Sequence, residues 1–391
     1  MPSKKYFKNL IVRGKIGEAL AEMMKTAEET GQDDLSNDLL LLSSRYNRNE
    51  AQLNRGVIDT RDYDLAINRI ANTLNEYVDQ LEIKEEEETS TATATATSVT
   101  DPAPDRFMAL PAGKPKKIKY GEKAFREIES YSTQGLALIV TATDTETSAL
   151  HQKMAPLPGE EGLLEVKKDN ATYFLGKLGN FAIANVECGS MGSSASMGSI
   201  LTVSNAISAL QPKFVLMVGI AFGIDGAKQN IGDVLVSEHI LPYEIQRAGS
   251  DQIIWRGSKP EASNTLRNNF KNLRGWEYTL PNGEEATLEL CDILSGEKLI
   301  DNLNLRNQLV QQFPTAKGGE MEGAGLYAAC QDKGVEWILI KSICDFADGN
   351  KGSGKKEKQA LAIETALDAC LHVFKKKYVF EALGLNALQE D

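Results

Sequence analysis

The chain has 391 residues, 42% of them hydrophobic, and a formal net charge of −12 at pH 7. This length is enough for two domains with a sizeable core, whereas the acidic balance argues against binding along a nucleic-acid backbone, which needs a basic face. The five cysteines are scattered and show no metal-ligand spacing with the three histidines. No apolar run reaches the roughly 20 residues that span a bilayer. We therefore expect a cytoplasmic protein with reduced thiols and without metal, cofactor or membrane contact.

Residues 1–82 lack strand signals and show helical periodicity. Apolar residues recur at spacings of three and four over 10–24, over 35–42 and again over 63–78. Thr60 stands where an N-cap of the last segment is expected. The pattern predicts a small all-α helical bundle domain.

Two stretches of this first module are more specific. They read L-L-L-L-S-S-R-Y-N-R-N-E at 39–50 and G-V-I-D-T-R-D-Y-D-L-A-I-N-R-I at 56–70. Together they resemble a bacterial effector-associated domain, a death-domain-like adaptor. The resemblance implies that the module binds a matching domain on a partner protein. The alternative is a helical bundle that only packs on the rest of the chain or dimerises.

Residues 83–130 are predicted to be a flexible linker. An acidic run is followed by a Thr/Ala repeat, two prolines and a lysine-rich stretch at 114–119. Such a composition has almost nothing to bury and cannot offset the entropy lost on ordering.

From 131 to 391 the pattern changes to alternating strands and helices. Unbroken apolar strands are typical of a sheet covered by helices on both faces, with ligand sites at strand carboxyl ends. We therefore expect a three-layer α/β/α domain with a central mixed sheet. The predicted strands lie at 136–140, 173–178, 181–188, 214–218, 234–237 and 337–343, and the predicted helices at 198–210, 324–333 and 357–378.

Four segments of this second module carry a further resemblance. In chain order they are L-A-L-I-V-T-A-T-D-T-E-T-S-A-L at 136–150, V-L-M-V-G-I-A-F-G-I with I-G-D-V-L-V-S-E within 215–238, G-G-E-M-E-G-A-G-L-Y-A-A at 318–329, and I-K-S-I-C-D-F-A-D-G at 340–349. The ordered set resembles the nucleoside phosphorylase and nucleosidase superfamily, most closely its methylthioadenosine/adenosylhomocysteine nucleosidase branch. The resemblance implies a phosphorylase-like fold, cleavage of a purine nucleoside and a homo-oligomer.

Cleavage of an N-glycosidic bond leaves an oxocarbenium-like sugar and an electron-rich base, so an enzyme must protonate the base, stabilise the cation and direct a nucleophile. By resemblance, Asp345 is the acid at purine N7, Glu322 holds the ribose hydroxyls, and Glu146 positions and deprotonates water. Each has a structural alternative. Asp345 could cap a turn, Glu322 could be solvated, and Glu146 could be exposed in a helix capped by Asp144.

The resemblance also implies a set of substrate contacts. Met321 would lie beside the ribose, and the backbone around Leu299 and Ile300 in S-G-E-K-L-I would read the adenine edge. The remaining implied contacts are Gly219, Ala221 and Phe222.

Water is the predicted nucleophile. A phosphate dianion needs fixed donors and compensating charge, but residues 186–194 contain glycines without a basic residue. Met217 and Ile220 stand where hexameric phosphorylases have an arginine and a serine. An arginine from a remote segment or a neighbouring subunit could still restore a phosphate site.

The run D-G-N-K-G-S-G-K-K-E-K at 348–358 places lysines among glycines at the start of the last helix. Backbone N–H groups, the helix dipole and lysine charge suit phosphate. Lys351 and Lys355 are therefore predicted to bind the phosphates of ATP or another adenine nucleotide. The alternative is a solvated loop.

Taken together, the two modules predict an N-glycosidase that removes the purine from an adenine nucleotide or nucleoside as an effector of a bacterial antiphage immune system. One alternative is a housekeeping purine nucleosidase or phosphorylase. The other is a non-catalytic nucleotide-sensing module, which is favoured by Cys344 at a position where the nucleosidase branch usually has serine.

Overall fold

The computed structural model describes residues 2, 4–12, 15–30, 32–54, 67, 70, 71, 73–75, 77, 78, 81, 116–190, 192–194, 197–248, 253–349 and 354–389. They fall into two compact units, Met1–Pro102 and Ala103–Asp391. Most of the predicted linker, from 83 to 115, and the predicted cap Thr60 lie outside the described residues. The domain boundary at 82 stays a prediction.

The described part of the first unit is helical, which confirms the prediction of an all-α N-terminal domain. Helix α1 is Lys4–Val12, α2 is Ile16–Glu29 and α3 is Asp33–Asn54, and further helical residues lie between 67 and 78. The apolar positions of these segments form one buried cluster, in which Phe7, Met23, Leu39 and Leu74 are fully buried.

The second unit contains the strands and the remaining helices. The strands are β1 Tyr120–Lys123, β2 Ala137–Thr141, β3 Leu163–Lys168, β4 Ala171–Leu178, β5 Phe181–Glu187, β6 Phe214–Gly223, β7 Val234–Pro242, β8 Gln246–Ala248, β9 Ile253–Trp255, β10 Leu288–Ser295, β11 Ala316–Glu320 and β12 Glu336–Asp345. The helices are α4 Glu129–Gln134, α5 Asp144–Lys153, α6 Ser199–Leu210, α7 Asn264–Lys271, α8 Leu303–Gln312, α9 Gly323–Lys333 and α10 Lys355–Phe374, with 3₁₀ turns at Phe125–Ile128 and Glu381–Leu383.

The main sheet is mixed and has the strand order β1-β3-β4-β5-β2-β6-β11-β10-β7-β12. Strand β12 also pairs with β6, in parallel, so that β6, β11, β10, β7 and β12 close into a ring. A mixed α/β fold is thus confirmed. The ring closure was not predicted, because an apolar run indicates that a strand is buried but not which strands it pairs with.

Buried strands and two pairs of helices make up the core. All five residues of β2 are buried, as are nearly all of β6 and β12. Helices α5 and α10 pack on each other, and α10 packs on β6 and β12, while α6 packs on α9. Burial of these continuous apolar faces is the main stabilising contribution.

The structure corrects one end of the predicted linker. Residues 120–123 form β1, which pairs in parallel with β3, Tyr120 lying opposite Leu163. None of the four residues of β1 is buried. Its sequence, Y-G-E-K, has no apolar run, and the strand was not predicted for that reason. Within the residues that the structure describes, no helix has the length and apolar character needed to cross a membrane.

Candidate active site

A cavity of about 220 Å³ lies where β2, β6, β10, β11 and β12 reach their carboxyl ends. The chain segments that meet there are distant in sequence, as expected for sites at strand carboxyl ends. Its lining includes nine of the predicted site residues: Glu146, Ala221, Phe222, Leu299, Ile300, Met321, Glu322, Asp345 and Lys355. Gly219 does not line it, and Lys351 lies outside the described residues.

Glu146 is held rigidly in the first turn of α5. Its Oε2 accepts hydrogen bonds from the N–H groups of Ala142 at 2.7 Å and Thr143 at 3.0 Å, and its Oε1 accepts one from Ile220 N–H at 2.9 Å. Thr143 is the N-cap of the helix and Glu146 completes a capping box. The alternative of an exposed Glu146 behind an Asp144 cap is therefore wrong, since Glu146 is only 2% exposed.

Gly219 acts through Glu146 and not on the cavity itself. A Cβ atom at Gly219 would lie 2.4 Å from Glu146 Oε1 and 2.9 Å from Lys341 Nζ. Only a glycine leaves room for the carboxylate and the ammonium beside strand β6. The predicted substrate contact at Gly219 is replaced by this packing role.

Glu322 occupies the N-cap position of α9 and is 5% exposed, so the alternative of a solvated helix residue is wrong. Its Oε1 accepts a hydrogen bond from Gly192 N–H at 3.3 Å. The neighbouring Glu320 accepts hydrogen bonds from Glu322 N–H at 2.9 Å and from Gly323 N–H at 2.9 and 3.0 Å. The turn that presents Glu322 is thereby fixed.

Lys341 is an ionisable residue beside the cavity that sequence reasoning missed. Its Nζ lies 3.3 Å from Glu322 Oε2 and 3.5 Å from Glu320 Oε2, and the side chain is 1% exposed. Burial favours the neutral amine, but Glu322, Glu320 and Glu146 outweigh it and raise the pKa of Lys341 above its ordinary value. The available signal was a single lysine inside the apolar run 337–343.

Burial also acts on the carboxyl groups around Lys341. It raises the pKa of Glu146, while the Lys341 ammonium and the N–H groups of Ala142 and Ile220 act against it. Burial likewise raises the pKa of Glu320, again opposed by Lys341. A carboxylate whose pKa is raised is a better proton acceptor at neutral pH.

Asp345 ends β12 just after a bulge. The register with β6 shifts between Ile343, opposite Ala221, and Asp345, opposite Phe222, so Cys344 is the extra residue. Asp345 Oδ1 accepts a hydrogen bond from Ala347 N–H at 2.9 Å and Oδ2 accepts one from Cys344 Sγ at 3.2 Å. Asp345 therefore caps the turn that follows β12, as the structural alternative predicted, and its side chain also lines the cavity. Bulges commonly re-aim side chains at sites of this kind.

The rest of the lining combines apolar and basic groups. Leu299 is 63% exposed, whereas Ile300 is buried. Sequence reasoning had not assigned Lys298, Glu320 or Gln359 to the site, and it had not placed Lys358 in the lining. Lys298 is paired with Glu244 at 3.1 Å. In the described ranges, no group of three or more His, Cys, Asp or Glu side chains is arranged to hold a metal ion.

Two family models match the chain. Residues 2–82 match the model described as effector-associated domain 11. Residues 137–375 match the model described as the phosphorylase superfamily.

Individual proteins are similar to parts of the chain. A death domain-containing ATP nucleosidase of Amphimedon queenslandica is 29% identical over 259 residues, which cover 61% of this chain and 48% of that protein, so the chain spans about half of that relative's length. A 5′-methylthioadenosine/S-adenosylhomocysteine nucleosidase of Staphylococcus epidermidis is 24% identical, over 54% of this chain and 86% of the relative.

Solved structures agree on the fold of the second unit. The methylthioadenosine/adenosylhomocysteine nucleosidase of Colwellia psychrerythraea with adenine superposes with a TM-score of 0.52 at 18% identity, covering 66% of this chain and 98% of that one. Futalosine hydrolase of Helicobacter pylori also gives 0.52, at 20% identity, covering 62% and 97%.

Proposed function

Since the chain belongs to the phosphorylase superfamily, we propose that it hydrolyses the N-glycosidic bond of an adenine nucleotide and releases the free base. The observation that carries this proposal is that Glu146, Glu322 and Asp345, which come from three distant segments, line one cavity. Each suits a different task in breaking the bond between a sugar and a purine.

The proposed reaction uses two proton transfers. Asp345 donates a proton to N7 of the purine, and the C1′–N9 bond breaks with its electrons moving into the base. Glu322 holds the ribose hydroxyls and favours the positive charge that develops on the sugar. Glu146 accepts a proton from the water that attacks C1′. Its raised pKa supports this role, and its three backbone donors fix the orientation of the carboxylate, although two of them, Ala142 and Ile220, moderate the rise in pKa.

The charge around Lys341, beside the cavity, supports water over phosphate as nucleophile. Glu146, Glu320 and Glu322 face a single ammonium, that of Lys341. A phosphate dianion entering beside them would meet net negative charge in a buried setting, where repulsion is weakly screened. No arginine is found among the lining residues that the structure describes.

Three lysines support a nucleotide substrate over a nucleoside. Lys298, Lys355 and Lys358 line the same cavity as the carboxylates. Lys355 and Lys358 lie on the first turn of α10, where the helix dipole adds to their charge. ATP is the favoured substrate, in keeping with the name of the Amphimedon relative.

The N-terminal domain supports a role for this activity in defence. We propose that the domain binds a partner carrying a matching effector-associated domain, and that the chain acts in the cytoplasm as a homo-oligomeric effector of a bacterial antiphage system. Loss of adenine from the nucleotide pool would then stop growth of an infected cell.

A base-release assay tests the reaction. The purified chain is incubated with ATP, AMP, adenosine, inosine or methylthioadenosine, with and without inorganic phosphate, and free base is measured by chromatography. We expect adenine from ATP, independent of phosphate, and a loss of about 10²-fold or more in kcat for Asp345→Asn. Strict dependence on phosphate would contradict hydrolysis, and a preference for adenosine or methylthioadenosine would indicate a housekeeping enzyme. Unchanged turnover in Asp345→Asn and Glu322→Ala would overturn the site.

A further inference from the structure

A single turn of the chain holds carboxylates from two different walls of the cavity. This glycine turn, Gly192–Ser193, lies between β5 and α6. Gly192 N–H donates to Glu322 Oε1 at 3.3 Å. The next N–H, that of Ser193, donates to both oxygens of Glu297, at 3.0 and 3.2 Å, and the Ser193 hydroxyl donates to Glu297 as well.

Glu297 belongs to the segment that forms one wall of the cavity. This wall segment, residues 296–300, follows β10 and contributes Lys298, Leu299 and Ile300 to the lining. Its backbone is also anchored from the other side, because Glu297 N–H donates to Glu244 Oε2 at 2.9 Å. Glu297 therefore connects the wall segment both to the glycine turn and to Glu244, which follows β7.

The backbone of the glycine turn is shaped to receive Glu297. Gly192 has a φ of +92°, and a Cβ atom there would lie 2.4 Å from Glu297 Oε2. Only glycine adopts this conformation at low cost and leaves the space for the carboxylate. Ser193 is 8% exposed, whereas Glu297 is an exposed residue, so these hydrogen bonds are partly buried. Hydrogen bonds to a charged acceptor are stronger than those between neutral groups.

We propose that Glu297 is a positioning residue, which ties the wall segment to the same turn that orients Glu322, so that the base wall and the sugar carboxylate are held in one arrangement. This inference rests on the proposed function, in which Leu299 and Ile300 adjoin the base. Glu297 is not proposed to touch a reacting atom. Removing its carboxylate would change the positions of the glycine turn and the wall segment, and only through them the binding of the substrate.

Kinetic constants of Glu297 variants test the proposal. In Glu297→Ala we expect KM for the nucleotide to rise about tenfold while kcat stays within about threefold, because Asp345 and Glu146 keep their own hydrogen bonds. Glu297→Gln keeps an acceptor oxygen for Ser193 N–H and should restore most of the affinity. Glu161→Ala, which removes an exposed carboxylate 3.8 Å from Lys119, is the matched control.

Amide hydrogen exchange gives a readout that does not depend on turnover. Exchange of residues 296–300 should become faster in Glu297→Ala than in the unsubstituted chain, and exchange in β12 should not change. Unchanged exchange in the wall segment, or a KM that stays within twofold, would overturn the proposal. If the unsubstituted chain releases no base from any substrate, the proposed function fails, and the exchange experiment still decides whether Glu297 holds the segment.

Discussion

A buried lysine determines how the carboxylates of the cavity share their charge. Burial alone would favour the protonated acids, yet Lys341 lies within 3.3 and 3.5 Å of Glu322 and Glu320 and opposes the rise in pKa of Glu146. The Lys341 ammonium therefore stabilises the charged form of a neighbouring carboxyl group in a buried setting, where water screens charges weakly. Lys341 acts on Glu146 and Glu322 together.

Replacing this lysine should change the pH dependence of base release. Lys341→Met removes the interaction that lowers the pKa of Glu146, so that pKa rises further and the acid limb of activity moves to higher pH. We expect activity to fall roughly 10²-fold at pH 7, with a larger loss at pH 6 than at pH 8. The measurement is kcat/KM for adenine release as a function of pH.

The conservative variant separates charge from packing in that experiment. Lys341→Arg keeps the positive charge and should leave the acid limb near its original place. Unfolding by urea checks integrity, since removing one partner of a buried ion pair costs roughly 3–5 kcal/mol. An unshifted pH profile in folded Lys341→Met would exclude the role given to Lys341.

At the level of single residues, motifs led to the carboxylates but not to their surroundings. Glu146, Glu322 and Asp345 stand in segments with a recognisable pattern, and all three line the cavity. Glu320 and Lys341 were not predicted as site residues. A charged residue in a buried segment needs a partner of opposite charge, and the sequence does not show which distant residue that partner is. Gly219 was noted, but its contact with Glu146 depends on the approach of α5 to β6.

Among the elements, β12 and α10 both contribute ionisable residues to the cavity. The bulge at Cys344 shifts the register of β12 against β6 just before Asp345, which still pairs with Phe222. Helix α10 starts at Lys355 after Gly354, whose φ of +64° is a left-handed conformation that favours glycine. The first turn of α10 thus brings Lys355 and Lys358 to the same cavity as Asp345.

The first turn of α10 offers a matched test of phosphate recognition. Lys355 and Lys358 line the cavity, whereas Lys356, on the same turn, does not. We expect Lys355→Ala/Lys358→Ala to raise KM for ATP about tenfold or more and to leave KM for adenosine within twofold. Lys356→Ala should behave like the unsubstituted chain. Equal effects on ATP and adenosine would mean that these lysines do not read phosphate.

Element prediction succeeded where burial is continuous along a strand. The predicted runs at 214–218 and 337–343 became the longer strands β6 and β12. Strands β10 and β11 were missed for a physical reason. Strand β10 carries Glu289 and Asp292, and β11 is A-K-G-G-E, so neither presents an apolar run although each pairs with buried neighbours.

On the scale of the whole molecule, two units carry separate cores. The buried clusters of the second unit draw only on residues 128–385, and that of the first only on residues 7–81. Composition correctly indicated a change of architecture between them. Ring closure of the sheet could not be inferred, since it depends on β12 pairing with both β6 and β7.

Because its core is self-contained, the second unit should fold without the first. A fragment of residues 103–391 is expected to unfold in one cooperative transition and to release adenine with kcat/KM within about threefold of the full chain. Circular dichroism and the base-release assay measure both properties. A folded fragment without activity would assign the first unit a direct part in catalysis.

The three donors to Glu146 are main-chain N–H groups, those of Ala142, Thr143 and Ile220. Any substitution at these positions except proline preserves them. Evolution can therefore exchange the side chains of Ala142, Thr143 and Ile220 without removing the hydrogen bonds that orient Glu146, the proposed base. For the same reason, engineering of the substrate range can begin at Ala142, Thr143 and Ile220, which line the cavity.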